Sequence, residues 1–352
     1  MLCDTMSMSV CPVNVSVRNS TGLLELNRPK ALNSLNPRMV DLITDALEKW
    51  ADDPDVHRVI IYSSSPKAFC AGGDVRLVRE EITGGSYKAG DKFFLDEYEM
   101  NNALANFPKP VVALIDGVAM GGGLGISAHG SHRVITENAL AAMPEMVIGF
   151  SPDVGMTWMM ARMVGEPGRP IPALASFALL TGWRFSPADM LWSGLATDYV
   201  PSEDLGEFMD TVIAESLDDA LERFSTQPTG DSELAVWLPE IEECFGHPTW
   251  PDISAALSEC ANAEFVELVH GLMRDANPSS VVATVELFNA NLEVSSLRVA
   301  LENENAIGSE LRREPNFPEG VRAVLVDKTR DAEFTPSDYN DVDVRTYRTI
   351  LS

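Results

Sequence analysis

Three stretches of the chain hold residues whose types and spacing could do chemistry. The first is PKAFCAGGDVR, residues 66–76, where Gly72 and Gly73 permit backbone torsions that side-chained residues resist. Such a loop can turn a backbone N–H, that of Ala71 for example, toward a ligand, although a plain strand-to-helix turn would have the same composition. The second is IDGVAMGGGLG, residues 115–125, with three consecutive glycines ahead of a helical pattern. N–H groups at a helix start have no intrahelical acceptor and lie at the positive end of the helix dipole, a setting that can receive an anion or a developing oxyanion. The third is AMPEMVIGFSPDVG, residues 142–155. Glu145 stands between a proline and an apolar run, an expensive place for a carboxylate without a task. Asp153 follows Ser151 and Pro152, a triplet that also reads as N-cap, first helical residue and first-turn acid.

Several rival chemistries are missing. Starting from Gly121 or Gly123, the G-x-G-x-x-G pattern lacks its last glycine, and there is no G-x-x-x-x-G-K-[ST], H-E-x-x-H or G-x-S-x-G. His129 and His132 form no zinc motif. The five cysteines, Cys3, Cys11, Cys70, Cys244 and Cys260, are scattered and odd in number, which points to reduced thiols, with Cys70 a small buried hydrophobe. With 26 Lys and Arg against 53 Asp and Glu, the formal charge is −27, which disfavours nucleic acid as a partner. No stretch approaches ~18 uninterrupted apolar residues, so no membrane span is expected. MLCDTMSMSV has neither a signal-peptide nor a transit-peptide pattern, and a cytoplasmic location is expected.

The elements that must position these loops follow from hydrophobic periodicity. Strands are predicted at 12–18, 22–27, 58–63, 110–115, 132–136 and 139–142, and helices at 37–50 and 92–106. Both glycine loops follow buried strands. Beyond residue 201 the pattern turns helical, at 202–226, 254–275, 279–291 and 294–312, broken by TQPTG at 226–230 and HPTWPD at 247–252. The expected organisation is an α/β core over 12–200 and a helical region over 201–352.

Taken in order, NRPKALNSLN (27–36), KAFCAGGDVR (67–76), IDGVAMGGGLG (115–125), MPEMVIGFSPDVG (143–155) and TGWRFSPADMLWSGLATDYVPSEDL (181–205) resemble the motifs of the crotonase superfamily. EGVRAVLVDK (319–328) resembles a tail block of its 3-hydroxyisobutyryl-CoA hydrolase branch. The resemblance implies a spiral of ββα turns closed by a helical C-terminal region, acting on an acyl-CoA thioester. The thioester oxygen would lie in an oxyanion hole made by the N–H groups of Ala71 and Gly122. No metal or cofactor beyond the CoA of the substrate is implied. Assembly as a homo-oligomer, or a tail folded over its own subunit's site, would both suit the superfamily.

Hydratases of this fold use two glutamates, and the first would fall on Gly125, which argues against simple hydration. The hydrolase branch has glycine there, a glutamate in the place of Glu145, an aspartate in the place of Asp153, and a further glutamate assigned to Glu97, with Asp96 one position away. By this resemblance Glu145 either activates a water or attacks the thioester itself. Asp153 accepts a hydrogen bond from a substrate 3-hydroxyl, and Glu97 orients Glu145 or the substrate. CoA contacts are expected along Arg28, Lys30, Ala31, Lys67, Ala71, Gly72, Gly73 and Asp74, with Arg76 a further cation. The branch usually continues its SPDVG motif with glycine, whereas Met156 stands here, implying a bulkier wall. An enoyl-CoA hydratase or isomerase, and a noncatalytic CoA-binding protein, are the alternatives on the same fold.

Overall fold

The computed structural model describes residues 11–65 and 67–352; Cys3, with the rest of MLCDTMSMSV, and Pro66 lie outside them. The strands are β1 (Val13–Arg18), β2 (Thr21–Leu26), β3 (Arg58–Ser63), β4 (Ala68–Cys70), β5 (Val111–Ile115), β6 (Val118–Met120), β7 (His132–Ile135), β8 (Leu140–Ala142) and β9 (Asp198–Tyr199). β1 and β2 form an antiparallel hairpin whose turn residues, Asn19 and Ser20, both have positive φ, as a tight two-residue turn requires. From β2 onward the large sheet is parallel, in the order β1-β2-β3-β5-β7-β9, while β4, β6 and β8 form a second sheet. The pairs β3–β4, β5–β6 and β7–β8 therefore each give one strand to each sheet before the chain leaves through helical or irregular segments. That is the expected ββα spiral. VVALI of β5 is buried throughout, the continuous apolar run that a strand covered on both faces needs.

The chain forms two compact units that interleave along the sequence rather than dividing at 201. Of the described residues, the first takes 11–65, 67–73, 99–141 and 185–232; the second takes 74–98, 142–184 and 233–352. Residues 205–224 stay with the first unit because their two helices, Leu205–Ala214 and Leu217–Phe224, bury Phe208, Val212, Ile213 and Ala220 against Ile60, Val112, Leu114 and Val134 of the large sheet. The second unit is helical. Its interior includes Phe177, Phe245 and Phe265, with Phe177 and Phe245 edge to face at 5.2 Å.

Several elements differ from the periodicity reading. Helix Pro172–Thr181 is buried from Ala173 to Thr181 and so carries no amphipathic period to detect. Helix Glu233–Phe245 contains Pro239, a residue that signals interruption. The 254–275 helix is two, Trp250–Glu259 and Ala263–Met273, the second restarted by the Asn262 side chain accepting from the Phe265 N–H. After the glycine run the helix is one turn, Gly122–Gly125. Ser151-Pro152-Asp153 caps no helix; the next turn, Met156–Met159, starts after Gly155. No helix among the described residues is long and apolar enough to cross a membrane.

Candidate active site

In the first unit, the loop after β2 wraps around the first glycine loop. Leu32 and Asn33 both have left-handed backbones, at φ 50° and 55°. Asn33 is fully buried, and its side-chain amide donates to Ser63 Oγ (2.7 Å) and the Phe69 carbonyl (3.0 Å) while its oxygen accepts the Arg28 N–H (2.8 Å). Asparagine suits this position because its short amide tolerates the left-handed region and bonds locally. The Cys70 thiol is buried and donates to the Asn33 carbonyl at 3.1 Å, as befits a packing residue. Arg28 Nη1 donates to the Ser34 carbonyl, the Ala31 carbonyl accepts the Ser34 N–H, and Gly73 bridges to Leu35. Lys30 and Lys67 are exposed.

The two glycine loops meet backbone to backbone. Gly72 has φ +102°, and a Cβ there would lie 3.1 Å from the Met120 carbonyl oxygen and 3.7 Å from the Gly122 nitrogen. A Cβ on Gly123 would sit 2.1 Å from the Cys70 carbonyl oxygen. This is the close approach that only glycine allows. Gly122 opens its helical turn, so its N–H has no intrahelical acceptor. The Ala71 N–H is different: it donates to the Leu32 carbonyl at 3.0 Å. The structure thus brings the two expected oxyanion loops together, with one of the two expected donors engaged by the chain itself.

The second unit gathers the carboxylates. Glu97, Glu145 and Asp153 are 1%, 7% and 5% exposed, so all three are removed from water. Of the adjacent acids, Asp96 pairs with Lys92 toward solvent and Glu97 faces inward. Glu145 begins a single turn, Glu145–Ile148, fixed from several sides. The Asn277 N–H donates to the Met146 carbonyl (2.9 Å), a Cβ on Gly149 would lie 2.5 Å from the Asn316 carbonyl oxygen, and Gly320 packs equally closely on Ile148. The tail block therefore shapes the turn that presents Glu145. Asp74 precedes helix Val75–Thr83 without a side-chain cap bond, and Arg76 is exposed.

Electrostatics set these carboxylates apart. Glu145 Oε2 and Glu97 Oε1 are buried without a hydrogen-bond partner. Burial first, and the Asp153 charge second, push both groups well above the usual carboxylate range. Asp153 is raised only to about 6: burial drives it up, while the Tyr98 hydroxyl donating to Oδ2 (2.7 Å) and the Arg312 cation hold it down. Arg312 is itself buried, donates to Asp91 at 3.0 Å and lies over the Phe94 ring at 4.2 Å. A fourth buried acid, Glu304, accepts from the Gly155 N–H and from the Thr157 N–H and hydroxyl. Those donors favour its ionised form, against burial and Asp153, which push it up to about 8. Glu145 and Glu97 thus hold their protons more tightly than an ordinary carboxyl, Glu145 through burial and the Asp153 charge together. A carboxyl poised in this way can exchange a proton with a bound reactant. Among the described residues, no three His, Cys, Asp or Glu side chains converge to hold one metal ion.

The motif reading missed Asn33, Tyr98, Glu304 and Arg312. Glu304 does leave a signal. Leu297, Ala300, Leu301, Glu304, Ile307, Gly308 and Leu311 form the buried stripe of helix Leu297–Leu311, so an acid occupies an apolar-face position.

Comparison with known proteins agrees with this architecture. The sequence model of the enoyl-CoA hydratase/isomerase family matches residues 21–351. The mitochondrial 3-hydroxyisobutyryl-CoA hydrolase of Homo sapiens is 36% identical over 92% of this chain and 84% of its own length. That of Dictyostelium discoideum is 33% identical over 90% and 85%. Among crystal structures, a carnitinyl-CoA dehydratase from Mycobacterium thermoresistibile superposes with a TM-score of 0.88 at 34% identity, covering 97% of this chain and 96% of the other. An enoyl-CoA hydratase from Rhodobacter sphaeroides 2.4.1 gives 0.87 at 31% identity, covering 97% of each.

Proposed function

Because the chain belongs to the enoyl-CoA hydratase/isomerase family, we propose that it is a thioester hydrolase converting 3-hydroxyisobutyryl-CoA to 3-hydroxyisobutyrate and CoA. The observation that carries this reading is Glu145, a buried carboxyl with an unpartnered oxygen and a raised pKa, combined with glycine at position 125. Hydration of a double bond by two family glutamates needs an acid at position 125 as well. Hydrolysis needs one carboxylate and an oxyanion site.

In the proposed mechanism the thioester oxygen is polarised by the Gly122 N–H and by the Ala71 N–H, which turns to it from the Leu32 carbonyl. One such donor is worth about 3 kcal/mol at the transition state. Ionised Glu145 takes a proton from water as the water oxygen bonds to the carbonyl carbon. The tetrahedral oxyanion then collapses, the C–S bond breaks, and the CoA thiolate recovers the proton. Direct attack by Glu145, giving a mixed anhydride that water then opens, uses the same atoms. Asp153 accepts the substrate 3-hydroxyl, and Glu97 sets the field at Glu145. Arg28, Lys30 and Lys67 would supply cations for the CoA phosphates, with Ala31, Gly72, Gly73 and Asp74 along the same ligand and Arg76 a further cation. A cytoplasmic location, a role in valine breakdown and homo-oligomeric assembly belong to the same proposal.

The direct test is thiol release from 3-hydroxyisobutyryl-CoA by the purified protein, with Glu145→Ala as control. Release that disappears in the control is expected. A second reading, hydration, is favoured by the electrostatic coupling of Glu97 to Glu145, which would restore a two-carboxyl site. Hydration of crotonyl-CoA without thiol release would replace the first reading with the second.

A further inference from the structure

We infer that Glu304 is a positioning residue for substrate selection: through the 153–157 loop it aims Asp153, and so sets the preference for a 3-hydroxylated acyl group. The inference rests on the hydrolase reading and deepens it. Asp153 lies outside any helix or strand, so no regular ladder fixes its direction. On its C-terminal side the chain passes through Val154, whose φ of 53° is a left-handed conformation that a β-branched residue rarely holds. Such a torsion persists only where the surroundings over-determine it.

Glu304 provides that determination. It stands on helix Leu297–Leu311, fully buried, about 150 residues along the chain from the loop it grips. One carboxylate oxygen accepts the Gly155 N–H at 2.7 Å; the other accepts the Thr157 N–H at 3.3 Å and the Thr157 hydroxyl. Asn291 donates to that hydroxyl oxygen at 2.7 Å, so the Thr157 proton is committed to Glu304. Both oxygens of Glu304 are therefore matched to donors of one short loop, the loop that begins with Asp153. A core that needed only filling would hold an apolar residue at this stripe position, since a buried acid is costly.

The experiment compares kcat/KM for thiol release from 3-hydroxyisobutyryl-CoA and from isobutyryl-CoA, which lacks the 3-hydroxyl. The wild type favours the hydroxylated ester. Glu304→Gln turns an N–H₂ toward one of the loop's donors and loosens the backbone behind Asp153, whose carboxylate keeps its Tyr98 bond but loses its fixed aim, so the ratio of the two kcat/KM values falls by about tenfold or more, the worth of one hydrogen bond to a charged group. A residue that merely stabilised the fold would slow both esters by one factor. An unchanged ratio in Glu304→Gln therefore overturns the inference while leaving the hydrolase reading intact. Should Glu304→Gln not fold, Thr157→Val removes one donor and leaves the two backbone bonds. A smaller fall in the ratio supports the inference, and an unchanged ratio overturns it. A wild type releasing no thiol from either ester overturns the hydrolase reading and this inference together.

Discussion

Replacing Gly123 by alanine tests the two-loop oxyanion site most directly. A Cβ at this position would lie 2.1 Å from the Cys70 carbonyl oxygen, and real Cβ atoms essentially never approach closer than 3.0 Å. The loops must therefore separate by about 0.9 Å, and the atom in the way is backbone, which cannot swing aside. Cys70 precedes Ala71 and Gly123 follows Gly122, so the displacement passes directly to the N–H groups proposed to hold the oxyanion. Overpacking of this kind costs about 1–3 kcal/mol of stability. The effect on rate is larger, since misplacing catalytic groups by about 1 Å can cost about 100-fold. The assay is thiol release from 3-hydroxyisobutyryl-CoA, read beside a thermal unfolding curve. The expected outcome is a folded protein whose kcat falls by about two orders of magnitude. Gly271→Ala is the control: nothing lies within 4 Å of its added Cβ on an exposed helix position, so activity stays and stability rises by up to about 1 kcal/mol. A folded Gly123→Ala protein with wild-type kcat would refute the claim that these loops hold the oxyanion.

Other perturbations address the carboxylate cluster and its ligand. Arg312→Met removes a cation that holds Asp153 down, so the Asp153 carboxyl, raised to about 6 in the wild type, moves to higher pH when followed by NMR of labelled aspartate; an unmoved titration would show that Arg312 does not set it. Glu304 has a folded pKa raised to about 8, so its contribution to stability is fully present below the unfolded value of about 4.5 and is lost as pH rises through 8. The unfolding free energy should fall between about pH 4.5 and 8 by an amount on the order of a few kcal/mol, and Glu304→Gln should lessen that slope; an equally steep slope in the variant would assign it to other groups. Lys67→Glu should raise KM for the CoA ester several-fold with kcat unchanged, an effect that shrinks at about 0.5 M salt; an unchanged KM at low salt would remove Lys67 from the CoA site.

What the sequence determined by itself was local. Strand 58–63, the first hairpin and helix 37–50 were legible because alternation, turn residues and an N-capping asparagine act over a few neighbouring positions. The glycine loops were legible for a related reason, since a run such as Gly121-Gly122-Gly123 forfeits side-chain packing and needs a reason of its own. Glu145 stood out because a carboxylate beside an apolar run is costly. Tertiary structure decided whatever depends on residues far apart in the chain. It separated Glu97 from Asp96 by burying one and pairing the other with Lys92. It engaged the Ala71 N–H with Leu32, some forty positions earlier, through a left-handed turn that composition does not announce. It brought Glu304 and Arg312 to Asp153 across more than 140 residues, and with them the pKa of that group, because desolvation and Coulomb interactions follow distance in space rather than along the chain. It also kept residues 205–224 with the strands they cover, since a helix settles where its apolar face finds a sheet and not where the composition changes.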